Sequence, residues 1–127
     1  MKEDSFNKRS NFKSFGKRGE DLAQKFLEEK GYKIIKRNFT FGKGEIDIIA
    51  MDGDCLVFVE VKTRANYELG EPGYAITQRK QKQLKKIAEA YFYVNGLTEQ
   101  NCRFDVITIV GDPNKNPIIN HIQNAFI

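Results

Sequence analysis

Asp47, Glu60 and Lys62 are the residues of this chain whose types and spacing could do chemistry together. They lie in two segments that alternate like strands, Gly44-Glu45-Ile46-Asp47-Ile48-Ile49-Ala50 and Leu56-Val57-Phe58-Val59-Glu60-Val61-Lys62. Each segment sets charge inside an apolar run, and burying an unpartnered carboxylate is costly. Successive strand side chains point to opposite faces. Glu45, Asp47 and Ile49 therefore share one face, and Leu56, Phe58, Glu60 and Lys62 share a face of the next strand. Pairing about Gly53 sets Asp47 opposite Glu60, with Cβ atoms roughly 4.5–5.5 Å apart. Carboxylates that close repel unless a cation lies between them or one holds a proton. Mg²⁺ fits, because it takes one or two carboxylates and fills its shell with water and phosphate oxygens. Mn²⁺ is its expected substitute. Lys62 then reaches the water that the metal orients, or the charge developing on a phosphate. Metal and lysine together meet the needs of phosphodiester hydrolysis.

The competing explanation is an ordinary cross-strand ion pair on a solvated face, with Asp47 capping a bulge. Residues 56–61 are too apolar for a solvated face, and a second carboxylate falls opposite Glu60. Both facts weigh toward a site.

These residues need elements to position them. Residues 1–13 are polar, basic and aperiodic, which predicts a flexible basic arm ahead of a single domain over 14–127. From Ser14 a helix is expected, with Leu22, Ala23, Phe26 and Leu27 as its apolar stripe and Gly31 as its stop. Glu20 lies beside that stripe, where it would act as a further ligand, a water-holding group or an acid–base partner. Strands are expected over 32–39, 45–51 and 55–63, with Asp52-Gly53-Asp54 as a hairpin turn. Residues 64–76 read as a mobile loop marked by Gly70, Pro72 and Gly73. A second helix over 77–95 takes Thr77 as N-cap and Leu84, Ile87, Ala88, Tyr91 and Val94 as its apolar face. Strands over 103–110 and 118–122 complete the order.

At 127 residues, 40% apolar and 30% charged, the chain is the size and composition of one globular domain with its own core. No apolar run approaches the length of a membrane span, and the N-terminus lacks the apolar stretch of a signal peptide. A cytoplasmic protein with no membrane partner is expected. Cys55 and Cys102 have no zinc spacing and read as small buried thiols. His121, the single histidine, reads as structural or surface. The net charge of +4 suits a polyanionic partner. The basic residues cluster in the first 18 positions and again at Arg79, Lys80, Lys82, Lys85 and Lys86.

Asp47 followed by Glu60-Val61-Lys62 resembles the D…(D/E)-x-K signature of the restriction-endonuclease-like, or PD-(D/E)XK, superfamily. Gly19-Glu20, Gly44-Glu45-Ile46-Asp47-Ile48-Ile49-Ala50, residues 57–64, Thr77-x-Arg79-Lys80-Gln81 and Cys102-Arg103-Phe104-Asp105-Val106 occur in the order of the YraN-like family of small bacterial proteins. The chain is similar to that family over nearly all of its length after Ser14. The resemblance implies an α/β fold, a three-layer α/β/α core with a mixed central sheet. It also implies catalytic roles for Glu20, Asp47, Glu60 and Lys62, with Asp47 and Glu60 as metal ligands. The archaeal Holliday-junction resolvases are similar in the same positions and work as dimers, so a homodimer acting on branched DNA is an expectation of the resemblance. Residues 69–76 depart from the Phe-Gly-x-Pro-x-Glu-Ala-Val stretch usual in such relatives, and leave the four site positions untouched.

Arg64, Gln78, Arg79 and Lys80 are the expected nucleic-acid contacts. Arg64 follows the E-x-K strand, and the other three open the second helix, where phosphates are favoured. The alternatives to a nuclease are a non-cleaving nucleic-acid-binding or repair partner of the same fold, and a basic interaction module. Arg103 is expected to pair with Asp105 in a structural role.

Overall fold

The structure, a computed structural model, describes residues 4–66 and 76–127, with side chains from residue 15 onward. The chain runs α1 (Asp4–Glu29), β1 (Lys33–Phe41), β2 (Gly44–Asp52), β3 (Cys55–Arg64), α2 (Gln78–Val94), β4 (Cys102–Val110) and β5 (Ile118–Phe126). The five strands lie in one sheet in sequence order. β1–β2, β2–β3 and β4–β5 are antiparallel, whereas β3–β4 is parallel and is joined through α2. This is the expected mixed sheet of an α/β fold. A parallel pair needs a long crossover connection, which the helix supplies.

Alternation along β3 divides the core. Val57 and Val59 face α1, packing with Ala23, Leu27, Ile48, Ala50, Ile107 and Ile109. Leu56 and Phe58 face α2, packing with Leu84, Ile87, Ala88 and Tyr91. β3 is thus covered on both faces, as its continuous apolar run requires. Phe58 binds the second layer together, lying edge-on to Tyr91 at 5.9 Å and stacked on Phe104 at 5.5 Å.

Several boundaries differ from the sequence expectation. α1 begins at Asp4, so the stretch expected to be an aperiodic arm is helical from that residue. Apolar periodicity reports burial, whereas helix propagates from a packed turn at one hydrogen bond per residue. Residues 4–13 contain neither Gly nor Pro to stop it. β5 runs to Phe126, beyond the expected end at residue 122, because pairing with β4 carries it as far as Phe104↔Phe126. Val94 is 67% exposed rather than part of the apolar face, since α2 ends there. The cysteines are not buried thiols: Cys55 is half-buried and Cys102 exposed, each at the first residue of its strand. The loop expected over 64–76 falls largely on residues 67–75, which lie outside the described residues.

Candidate active site

The β2–β3 ladder pairs Asp52 with Cys55 through to Ile48 with Val59. That register directs Asp47 toward Glu60, as the hairpin arithmetic predicts. The ladder ends there, while β3 runs on to Arg64 paired with β4. In place of a main-chain partner, Val61 N donates to Asp47 Oδ2 at 2.8 Å. The strand turns at this point. Strict alternation would set Ile46 on the side of Ile48, but Ile46 packs with Ile49 on the α2 side and Ile48 packs on the α1 side. The expected shared face of Glu45, Asp47 and Ile49 is therefore broken at Asp47. Its carboxylate is held on Val61 N in a notch where β2 leaves β3.

Glu60 reaches the notch from the α2 face, its side chain only 14% exposed. Burial, and then the charge of Glu60, pushes the Asp47 carboxyl up to about 8. Burial also raises Glu60, against the pull of Lys80 and Lys62. Two carboxylates held this way share a proton more readily than they both ionise. Lys62 follows Glu60 on the same face of β3. Burial holds its ammonium below the ordinary lysine range, helped by Arg64 and opposed by Glu60.

Glu20 comes from α1, and a glycine brings it close. A Cβ on Gly19 would collide with Thr63 Oγ1, so only glycine lets α1 settle on β3 directly beyond Lys62. At Gly44 α2 passes close over the start of β2, where a Cβ would stand 2.8 Å from the side-chain tips Gln83 Nε2 and Ile87 Cδ1. Glu20 Oε1 accepts from Arg37 Nη2 at 3.2 Å. The other arm of Arg37 donates to Asp21 Oδ1 at 2.7 Å and to Gln24 Oε1 at 3.1 Å. With the Asn38 amide nitrogen turned to the carboxylates, Asn38 donates to Glu20 Oε1 at 3.2 Å and to Glu45 Oε2 at 2.9 Å. Glu20 and Glu45 both add to the field that raises Asp47.

Arg37, Asn38 and Glu45 are thus neighbours of the site that the sequence expectation leaves out. Arg37 meets α1 across more than a dozen residues, and no local pattern announces such a contact. Asn38 carries one signal. It holds a left-handed backbone at φ 55, which asparagine tolerates better than most residues. Of the four expected nucleic-acid contacts, Lys80 reaches the site, its Nζ 3.6 Å from Glu60 Oε2. Arg64 is half-buried and donates to the Thr63 carbonyl at 3.2 Å. Gln78 and Arg79 are exposed at the start of α2.

No group of three or more His, Cys, Asp or Glu side chains is gathered for a metal ion among the described residues. The notch offers two carboxylates, each raised by burial. That set suits a hard cation completing its shell with water and phosphate oxygens. It does not suit structural zinc, which takes four protein ligands.

The model of the Uncharacterised protein family UPF0102 matches residues 19–109, from the glycine that seats α1 to the penultimate residue of β4. The chain belongs to the UPF0102, or YraN-like, family. It is 50% identical over 114 residues to the UPF0102 protein GSU0650 of Geobacter sulfurreducens, covering 90% of this chain and 89% of that one. It is 47% identical to UPF0102 protein STH1475 of Symbiobacterium thermophilum, over 87% of this chain and 94% of that protein. The UPF0102 protein of Dictyoglomus turgidum is 43% identical, over 91% and 99%. UPF0102 is part of the restriction-endonuclease-like superfamily, with which the five-stranded mixed sheet and its two covering helices agree. No described helix of this UPF0102 protein is long and apolar enough to cross a membrane.

Proposed function

We propose that this protein is a metal-dependent endonuclease of the cytoplasm that hydrolyses phosphodiester bonds of DNA, branched or structured DNA in particular. The observation that carries this reading is the meeting of Asp47 and Glu60 where β2 leaves β3, with Lys62 next on the same face as Glu60. Asp47 and Glu60 would hold Mg²⁺, for which Mn²⁺ would substitute. When bound, the ion supplies a Lewis acid and a water of lowered pKa. Burial makes the Lys62 ammonium easier to deprotonate, so that Lys62 takes a proton from the attacking water as the neutral amine or, as the ammonium, neutralises charge on the phosphate. Glu20, held by Arg37, orients that water or shares in binding. Arg64, Gln78 and Arg79 contact the backbone of the nucleic acid. The protein works as a homodimer.

Purified protein incubated with linear, nicked and four-way-junction DNA in Mg²⁺ or Mn²⁺ tests the reading, beside Asp47→Ala and Lys62→Ala. Cleavage that both variants lose is the expected result. Equal cleavage by wild type and variants would identify a contaminant. Binding without cleavage would assign the protein a non-cleaving role on nucleic acid.

A further inference from the structure

Lys80 is the one residue of α2 whose ion pair with the candidate metal pocket is resolved among the described residues. It stands in the first turn of the helix, where its backbone N–H donates to the N-cap hydroxyl of Thr77 at 3.1 Å. Close packing at Gly44 fixes α2 against the start of β2. From that fixed base the Lys80 side chain reaches to 3.6 Å from Glu60 Oε2. The two ends of the pair differ in surroundings: Glu60 is 14% exposed, while Lys80 is 38% exposed. The carboxylate is therefore held inside the notch, and the ammonium sits at its mouth on a flexible stem. Were Glu60 to bind a divalent ion, Lys80 would lose its hold on the same oxygens and its ammonium would be repelled. The lysine so released would carry its charge at that mouth, in the same first turn of α2 as the exposed Arg79, free to meet a phosphate of a phosphodiester backbone.

We infer that Lys80 is a cation-linked switch, neutralising Glu60 while no divalent ion is bound and turning to a phosphate of the nucleic acid once the ion takes Glu60. The inference rests on the proposed metal site and adds its regulation: ion and nucleic acid each favour the binding of the other. Linkage makes that coupling reciprocal. A pair of this exposure is a modest competitor, so the free protein pays a small penalty in ion affinity for holding it.

The test has two arms. In the first, Mn²⁺ is titrated into free protein and followed by calorimetry. Lys80→Gln is expected to bind Mn²⁺ about 2- to 5-fold more tightly than wild type, as loss of a partly exposed competing charge implies. Asp47→Asn marks the site and is expected to lose that binding. In the second arm, equilibrium binding of a short DNA duplex is compared in EDTA and in Ca²⁺, an ion that supports binding with little hydrolysis. Wild type is expected to gain about 5-fold or more in Ca²⁺. Lys80→Gln should lose most of the gain and Lys80→Arg should keep it. Lys80 is exposed enough for these variants to fold, which a thermal melt checks. If Asp47→Asn and wild type titrate alike with Mn²⁺, the metal site itself fails and the switch falls with it. If Asp47→Asn loses the ion while Lys80→Gln matches wild type in Mn²⁺ affinity, only the switch is overturned. An equal Ca²⁺ gain in wild type and Lys80→Gln, or no gain in wild type, overturns its phosphate half.

Discussion

Glu60 and Asp105 occupy neighbouring positions on adjoining strands, Glu60 opposite Val106 and Asp105 opposite Val59. They face opposite sides of the sheet and live in opposite electrostatic worlds. Asp105, with a side chain 0% exposed, is fully answered. Arg103 Nε donates to it at 3.0 Å, His121 Nε2 lies 2.7 Å away, and Asn124 N donates at 3.0 Å. Arg103 in turn donates to Tyr32 and to Asp52, and Lys30 Nζ stands 2.9 Å from His121 Nδ1. Burial alone would raise the Asp105 carboxyl, but His121, Arg103 and Asn124 outweigh it and hold the group below its ordinary value. At Asp47 burial and then the charge of Glu60 raise the carboxyl, and at Glu60 burial outweighs the pull of Lys80 and Lys62, so both rise. Burial of a carboxylate is common to the two regions. The sign of its shift separates the structural cluster from the candidate site, because a polar network that is satisfied within the chain leaves no demand for an outside ion.

The sharpest way to break this comparison is to remove Asp105. Asp105→Ala leaves Arg103 in a half-buried setting without its main partner, and should cost about 3–5 kcal/mol in urea unfolding. A loss below about 1 kcal/mol would mean that the cluster is not what holds β4 and β5 to the α1 layer. Next in size is the loss of chemistry. Asp47→Ala and Lys62→Ala should each lower DNA cleavage by about 10²–10³-fold, while Asp47→Asn melts no lower than wild type. An Asp47→Asn protein that unfolds as readily as Asp105→Ala would erase the distinction between the regions. Smaller again is the seating of α1. Gly19→Ala should cost about 1–3 kcal/mol through its collision with Thr63, and should move Glu20 away from Arg37.

The pH response should run in opposite directions in the two regions. Asp47 binds its proton more tightly folded than unfolded, so its contribution to stability falls as pH rises from 3.8 to about 8. The melting temperature of wild type relative to Asp47→Asn should therefore decline across that window, and Mg²⁺ should restore it. Asp105, lowered from 3.8, stabilises above its ordinary value and loses that contribution as pH falls through its folded pKa. A wild-type protein whose stability is flat between pH 4 and 8 relative to Asp47→Asn would contradict the strained pair.

Much of this was legible in advance where the physics is local. The apolar stripe Leu22, Ala23, Phe26 and Leu27 packs into the sheet as its spacing requires. Thr77 caps α2, and the turn at Gly53 sets the β2–β3 register that brings Asp47 to Glu60. The pairing of Arg103 with Asp105 also follows from neighbours on one strand face. What alternation could not foresee is the turn of β2 at Asp47. It depends on a side chain taking over a main-chain hydrogen bond across the gap. The joining of His121 to Asp105, and of Arg37 to Glu20, likewise depends on elements far apart in sequence.

By itself, then, the sequence determined the elements, the hairpin register and the residues available for chemistry, because periodicity, caps and turns act over a few positions. Only the tertiary structure decided which charges are answered. Two acids buried in similar apolar strands differ solely in what the packing of distant segments brings to them: a histidine and an arginine at Asp105, another carboxylate and two lysines at Glu60. Electrostatic fate is set by distances across the fold, and those exist only once β5 has joined the sheet and α1 and α2 have closed on it.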